Sequence, residues 1–231
     1  MNRIVLPELL DVLPPGDLSA LRSRRDLRRL NAWMGHSKIM ADALQAGALN
    51  AGMQELVELG SGDGHFLLSV VARLNGRWSG TRAVLVDRLN VSDPRTLERF
   101  SRLGWGVSAE VAEADAWLRQ APPSPSRTIV SNLFFHQFHP EQLAELLGLA
   151  AAVATRVIAL EPRRAWLPRL CGRLLWVIGC GPVTRHDAHI SIRAGFAGTE
   201  LSALWPDKKN WTLTEQPAGL FSHLFIAQRK V

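Results

Sequence analysis

The chain has 231 residues, 47% of them hydrophobic and 21% charged, enough for one α/β domain with an appendage and too few for two full catalytic domains. Its 27 basic and 21 acidic residues leave a net charge of +6, a balance that raises nucleic acid or anionic lipid as a partner. Only four of the basic residues are lysines, and the arginines are spread along the sequence without a tract of interleaved aromatics, so specific nucleic-acid binding is not expected.

The opening run, MNRIVLPELLDVLPPGD, is broken by Pro7 and Glu8 and lacks a small-residue cleavage site, so it does not read as a secretory signal. From Leu18 to about Ala48 apolar residues recur at three- and four-residue spacing with arginine on the other face. That pattern predicts a helical N-terminal cap or lid over 1–50, of two or three helices. Residues 51–231 then alternate short β-rich runs with helix-length segments. Strands are expected at Glu55–Leu59, Arg82–Asp87, Gly106–Val111, Thr128–Asn132, Val157–Leu160, Trp211–Glu215 and Ser222–Gln228. Asp93 and Pro94 open a helix that Gly104 closes, and another opens at Pro140. Five strands separated by helix-length segments predict a mostly parallel sheet with helices on both faces. The last two, joined by about six residues around Pro217 and Gly219, are too close for a crossover and predict a C-terminal antiparallel hairpin.

The stretch from Trp166 to Pro182 is apolar, but Pro168, Arg169 and Arg173 interrupt it short of the ~20 residues that span a bilayer. With Arg163 and Arg164 before it, the segment reads as part of a cover over about 163–206, and it leaves room for peripheral membrane contact. Cys171 and Cys180 lie nine residues apart with no partner at metal-ligand spacing, so neither a disulfide framework nor a metal site is expected, and the default setting is cytoplasmic.

The segment VELGSGDGHF joins a strand to a helix beginning near Phe66 through a loop with glycines at 60, 62 and 64. Glycines let the backbone approach a ligand closely, and the carboxyl end of a strand is where open α/β sheets bind one. A dinucleotide fingerprint needs a small residue five positions after Gly60, where this chain has His65. Glu58 and Asp63 would also repel a pyrophosphate. These carboxylates, with Ser61 between the glycines, suit the ammonium and sulfonium of S-adenosylmethionine, with S-adenosylhomocysteine as product. Asp87, followed by Arg88, closes the strand VLVD and can accept both ribose hydroxyls. Asp115 in EADAW can accept the adenine amino hydrogens while the Ala116 amide donates and Trp117 packs on the ring. Standing alone, Asp115 would read as a helix N-cap.

In these motifs the chain resembles the class I S-adenosylmethionine-dependent methyltransferases: ELGSGDG, VLVD, EADAW and IVSNLFFHQF look like their first four motifs, in order. More narrowly, RRLNAWMGHSKIM, EPRR and VTRHDAHISIRAGFAGTELSALWP resemble a group of small bacterial methyltransferases associated with polyketide and flavin-dependent oxidoreductase pathways. The resemblance implies a Rossmann-like seven-stranded α/β fold and a substrate covered by the N-terminal helices and by the segment after the fifth strand.

Methyl transfer from a sulfonium is an in-line displacement that requires neither metal nor covalent nucleophile. The acceptor is expected beside the residues after the fourth strand, with Asn132 on the cofactor side and Phe134, Phe135 and Trp176 as an apolar wall. The Asn-Pro-Pro-aromatic tetrapeptide of nucleic-acid amino-methyltransferases is absent there. His136 is the candidate general base, with a hydrogen-bonded structural histidine as the alternative, and His186 reaches in from the cover segment. The expected reaction is methylation of an oxygen, or a carbon, of an apolar aromatic or polyketide-like small molecule. An RNA or DNA methyltransferase and a non-catalytic cofactor-binding subunit are the alternatives, and the sequence leaves the oligomeric state open.

Overall fold

The computed structural model describes residues 2–46, 53–74, 76, 78–172 and 174–230. The cap boundary expected at residues 50 and 51 and the interrupting Arg173 therefore lie outside the described residues.

Seven strands form one sheet: β1 Glu55–Leu59, β2 Arg82–Asp87, β3 Gly106–Val111, β4 Arg127–Asn132, β5 Arg156–Pro162, β6 Trp211–Ala218 and β7 Ser222–Arg229. Their order is β3-β2-β1-β4-β5-β7-β6. The first five are parallel and β7 runs antiparallel between β5 and β6. β6 is longer than expected and runs through Pro217, so Gly219–Phe221 make the hairpin turn. At the sheet edge a proline is tolerated.

Strand alternation builds two cores. Val57, Leu59, Val84, Val86, Ile129, Val157 and Phe225 face α6 Ala114–Gln120, α7 Pro140–Val153 and α10 Glu200–Leu204. Their neighbours Leu56, Leu85, Val130, Ile158 and Leu224 face α3 His36–Ala46, α4 His65–Arg73 and α5 Pro94–Arg102. A strand buried on both faces must be apolar at consecutive positions, which explains the continuous runs of β1, β2 and β5.

The other N-terminal helices, α1 Leu9–Val12 and α2 Leu18–Trp33, pack against α9 Pro182–Ala194, and α8 Trp166–Gly172 lies beside α9. Asp17 caps α2 by accepting from Ser19 and Ala20 amides. Arg156 ties α3 to β5, its guanidinium donating to the carbonyls of Ala43 and Leu44 at 2.6 and 2.9 Å, near the negative end of the helix. Among the described residues no helix is long and apolar enough to cross a membrane.

Candidate active site

The chain order reverses between β1 and β4, and ligands bind at such a switch point, beyond the carboxyl ends of the strands. A cavity of about 580 Å³ opens there. Glu58, at the end of β1, is 2% exposed and lines it. The amide of Leu67 in the first turn of α4 supplies one hydrogen bond, while Oε2 has no partner. Burial, with Asp63 and Asp87 nearby, holds the Glu58 carboxyl well above the usual carboxylate range. Ser61 Oγ is likewise buried without a partner on the cavity wall. A buried carboxylate oxygen left unpaired is costly unless a donor or cation arrives.

The glycine loop is shaped by its neighbours. Gly60 has φ +70, and a Cβ there would lie 2.3 Å from the Phe134 ring. The Gly62 amide donates to Asp87 Oδ2 at 2.7 Å, and the Leu89 amide to Oδ1 at 2.9 Å, so the half-buried Asp87 is held at the cavity edge. Across the switch point, Leu133 directly after β4 has a left-handed φ of 56, a conformation that costs a branched side chain energy and turns the chain sharply beside the cavity.

Glu161 holds that turn. Fully buried, its carboxylate accepts from the amides of Phe134, Phe135 and His136 at 3.2, 2.9 and 3.3 Å. His136 Nδ1 lies 2.8 Å from Glu161, and Nε2 lies 3.0 Å from Glu8 of the N-terminal segment. Burial opposes the charge on His136, but the hydrogen bonds to Glu161 and Glu8, with their negative charge, outweigh it and push the imidazole up to about 9. Burial would likewise raise Glu8, yet His136 and Ser191 lower it. Both ring nitrogens of His136 thus face carboxylates, an arrangement that favours its protonated form. His136 lies on the cavity wall, where the catalytic expectation put it, and its contact with Glu8 also ties the N-terminal segment to the site.

Other bonds close the same cover. Arg3 donates to the carbonyls of His136 and Phe138, both at 2.9 Å, and the amides of Leu9 and Leu10 donate to Asp187 at 2.8 and 2.9 Å. Arg28 of α2 meets Asp63 of the glycine loop at 2.5 Å, and Arg88 meets Asp11 at 3.3 Å. Burial and the charge of Glu8 push the Asp11 carboxyl up to about 6 against the pull of Arg88. His36 of α3 is buried on the cavity wall, with Nδ1 2.8 Å from Asn132 Oδ1 and Nε2 2.7 Å from Ser222 Oγ. Burial pushes it down to about 4, so it is neutral and orients Asn132.

Of the residues expected from sequence, Glu58, Gly60, Ser61, Gly62, Asp63, Asp87, Arg88, Asn132, Phe134 and His136 meet on this cavity. Gly64 lies behind it as the left-handed N-cap of α4, with Leu85 at its back. Asp115, Ala116 and Trp117 are not on the wall, which is made instead by Ala112, Glu113 and Ala114. The helix α6 starts at Ala114 with Glu113 as its N-cap, so Asp115 is turned outward, 3.9 Å from Arg119, and is not the cap either. Trp117 packs on the core under Arg127. Phe135 is wholly in the core, Trp176 is 61% exposed, and His186 pairs with Asp187 at 3.0 Å off the cavity wall. Among the described residues no three metal-capable side chains converge. Sequence reading missed Glu8, Arg28, His36 and Glu161. For Glu161 the only signal was its place at the end of the fifth strand, in the EPRR run.

No family model matches the sequence, and no curated protein matches it. Solved structures do match in fold. A plantazolicin methyltransferase in complex with S-adenosylhomocysteine superposes with a TM-score of 0.63 at 10% identity, over 93% of this chain and 92% of that one. An O-methyltransferase family protein from Burkholderia thailandensis gives 0.58 at 15% identity, over 93% of this chain and 61% of that one. An O-methyltransferase from Nostoc punctiforme, so described by inference, gives 0.58 at 10% identity over 90% and 60%. At these identities the likeness is one of fold, and it agrees with the Rossmann-like seven-stranded sheet expected from sequence.

Proposed function

We propose that this chain is an S-adenosylmethionine-dependent methyltransferase whose acceptor is an apolar aromatic or polyketide-like small molecule, methylated on oxygen. The observation that carries the reading is Glu58: a buried carboxylate oxygen without a partner, at the switch point, on the wall of the cavity. The donor set suits a cationic nucleoside and opposes a pyrophosphate. Glu58 and Ser61 would hold the amino acid end, Gly60 and Gly62 would let the backbone approach, and Asp87 would accept from the ribose. The stretch Ala112–Ala114 takes the adenine side in place of Asp115. When bound, the cofactor supplies an electrophilic methyl group on sulfur.

The chain's part is positioning and exclusion of water. Phe134, edge-on to Phe138 with ring centroids 5.0 Å apart, presents an apolar surface next to Asn132, which His36 orients. The cover is fastened beside the cavity through Glu8, Asp11 and Arg28. Two groups on the cavity wall are candidates to receive an acceptor hydroxyl's proton: His136, and Asp11, whose carboxyl is pushed up to about 6 beside Arg88. The cavity volume falls in the range of small-molecule sites and favours such an acceptor over a polynucleotide. The test is transfer of labelled methyl from S-adenosylmethionine to phenolic acceptors bearing apolar chains. Labelled, solvent-extractable product supports the proposal, and label found only in added RNA overturns it.

A further inference from the structure

Arginines occur all along the sequence, but two segments rich in them, far apart in the chain, come together in space. Residues 17–33 and 163–185 together hold ten arginines and two acids, whereas the whole chain is only +6, so the remainder is net acidic. Both acids are occupied: Asp17 caps α2, and Asp26, 4% exposed, accepts from the Gly181 amide and the Thr184 hydroxyl. The two segments are adjacent, since Arg22 and Arg29 donate to the carbonyls of Gly179 and Ile178, each at 3.2 Å. On α2, Leu18, Arg22, Arg25 and Arg29 fall at helical spacing on one exposed face.

Beside this stripe lies an apolar run with two sides. Pro168, Cys171, Gly172 and Leu175 line the cavity. Trp166, Leu170 and Leu174, four residues apart, point outward with Trp176, Val177 and Ile178, all 49% exposed or more. Large apolar side chains clustered on an exterior, flanked by one sign of charge, mark an interaction surface. We propose that this face, α8 and the 174–178 turn with the arginine stripe of α2, seats on an anionic lipid bilayer, the apolar side chains entering the headgroup boundary.

The chemistry selects that occupant. Arginines flanking exposed tryptophan and aliphatic side chains match anionic headgroups over acyl chains. A polynucleotide would supply phosphates for the arginines but nothing apolar for Leu170, Leu174, Val177 and Ile178. A two-fold contact between copies would set the arginine stripes near one another without acids to pair them. The docking does not depend on the methyl-transfer proposal, although a cavity walled by the reverse side of α8 would then receive acceptors dissolved in the membrane.

The test is flotation of the full chain with phosphatidylcholine vesicles, with and without phosphatidylglycerol. Binding is expected only with the anionic lipid and is expected to weaken with salt. Near an anionic surface each arginine contributes about fivefold, so Arg22→Gln with Arg25→Gln and Arg29→Gln should weaken binding on the order of 100-fold. Replacing Trp176, Val177 and Ile178 by serine should weaken it on a similar order. Cofactor affinity and the circular dichroism spectrum are controls for folding. Absence of binding to anionic vesicles, or binding indifferent to the serine changes, overturns the proposal. Tight association with a short polyuridylate instead, or a dimer that the serine changes dissolve without vesicle binding, overturns it in favour of those partners.

Discussion

Raising the pH should unfasten the cover through His136, and the size of the effect follows from its surroundings. In the unfolded chain the imidazole titrates near 6.5, while in the fold Glu161 and Glu8 push it up to about 9. A raised folded-state pKa gives stability that is complete below 6.5 and lost as pH rises through 9. The interval corresponds to about 3 kcal/mol by proton linkage. Glu8 works at the other end: its lowered carboxyl contributes above its ordinary 4.5 and loses that contribution as pH falls below it. Stability from this triad is therefore greatest between about pH 4.5 and 6.5. Urea unfolding of wild type at a series of pH values should show a fall of about 3 kcal/mol from pH 6.5 to 9 beyond that of His136→Gln. The variant itself should be destabilised by about 3–5 kcal/mol at pH 6, because two buried carboxylates lose their shared cation. Parallel pH curves for the two proteins would refute the imidazolium assignment.

Two further outcomes concern the cofactor side. Asp87→Ala should weaken S-adenosylhomocysteine binding about 10-fold or more in calorimetry, whereas Asp115→Ala, altering an exposed side chain paired only with Arg119, should change it by less than about threefold. Gly60→Ala places a Cβ 2.3 Å from Phe134 at a left-handed φ, so it should cost about 1–3 kcal/mol in thermal stability and displace the ring from the cavity wall, read as a lowered melting temperature and weaker cofactor binding.

The sheet was legible because its strands are short apolar runs between turn residues, and the glycine loop because a backbone approach and a cation leave a compact pattern of glycine and carboxylate. What escaped was long-range pairing. Glu8 meets His136 across 128 positions and His36 meets Asn132 across 96, and no local periodicity encodes either contact. Asp115 was misplaced by the start of one helix: a shift of two positions at the first turn moves a side chain from cavity to solvent. Trp176 shows the same limit in a short apolar segment, where composition announces burial but only the packing against α9 decides which side faces inward. The arginines read as dispersed because the two segments richest in them are far apart in sequence and meet only in the fold.

The most direct measurement is calorimetric titration of S-adenosylmethionine near pH 7 in buffers of different ionisation enthalpy. Burial and its acidic neighbours hold the Glu58 carboxyl well above the usual range, and a cationic ligand should draw it into its ionised form. Binding should therefore release up to about one proton per chain, and Glu58→Gln should abolish the release and weaken affinity about 10- to 100-fold. No heat with S-adenosylmethionine beside tight binding of NAD, or binding of S-adenosylmethionine that Glu58→Gln leaves unchanged in affinity and in proton release, would contradict the cationic-nucleoside site.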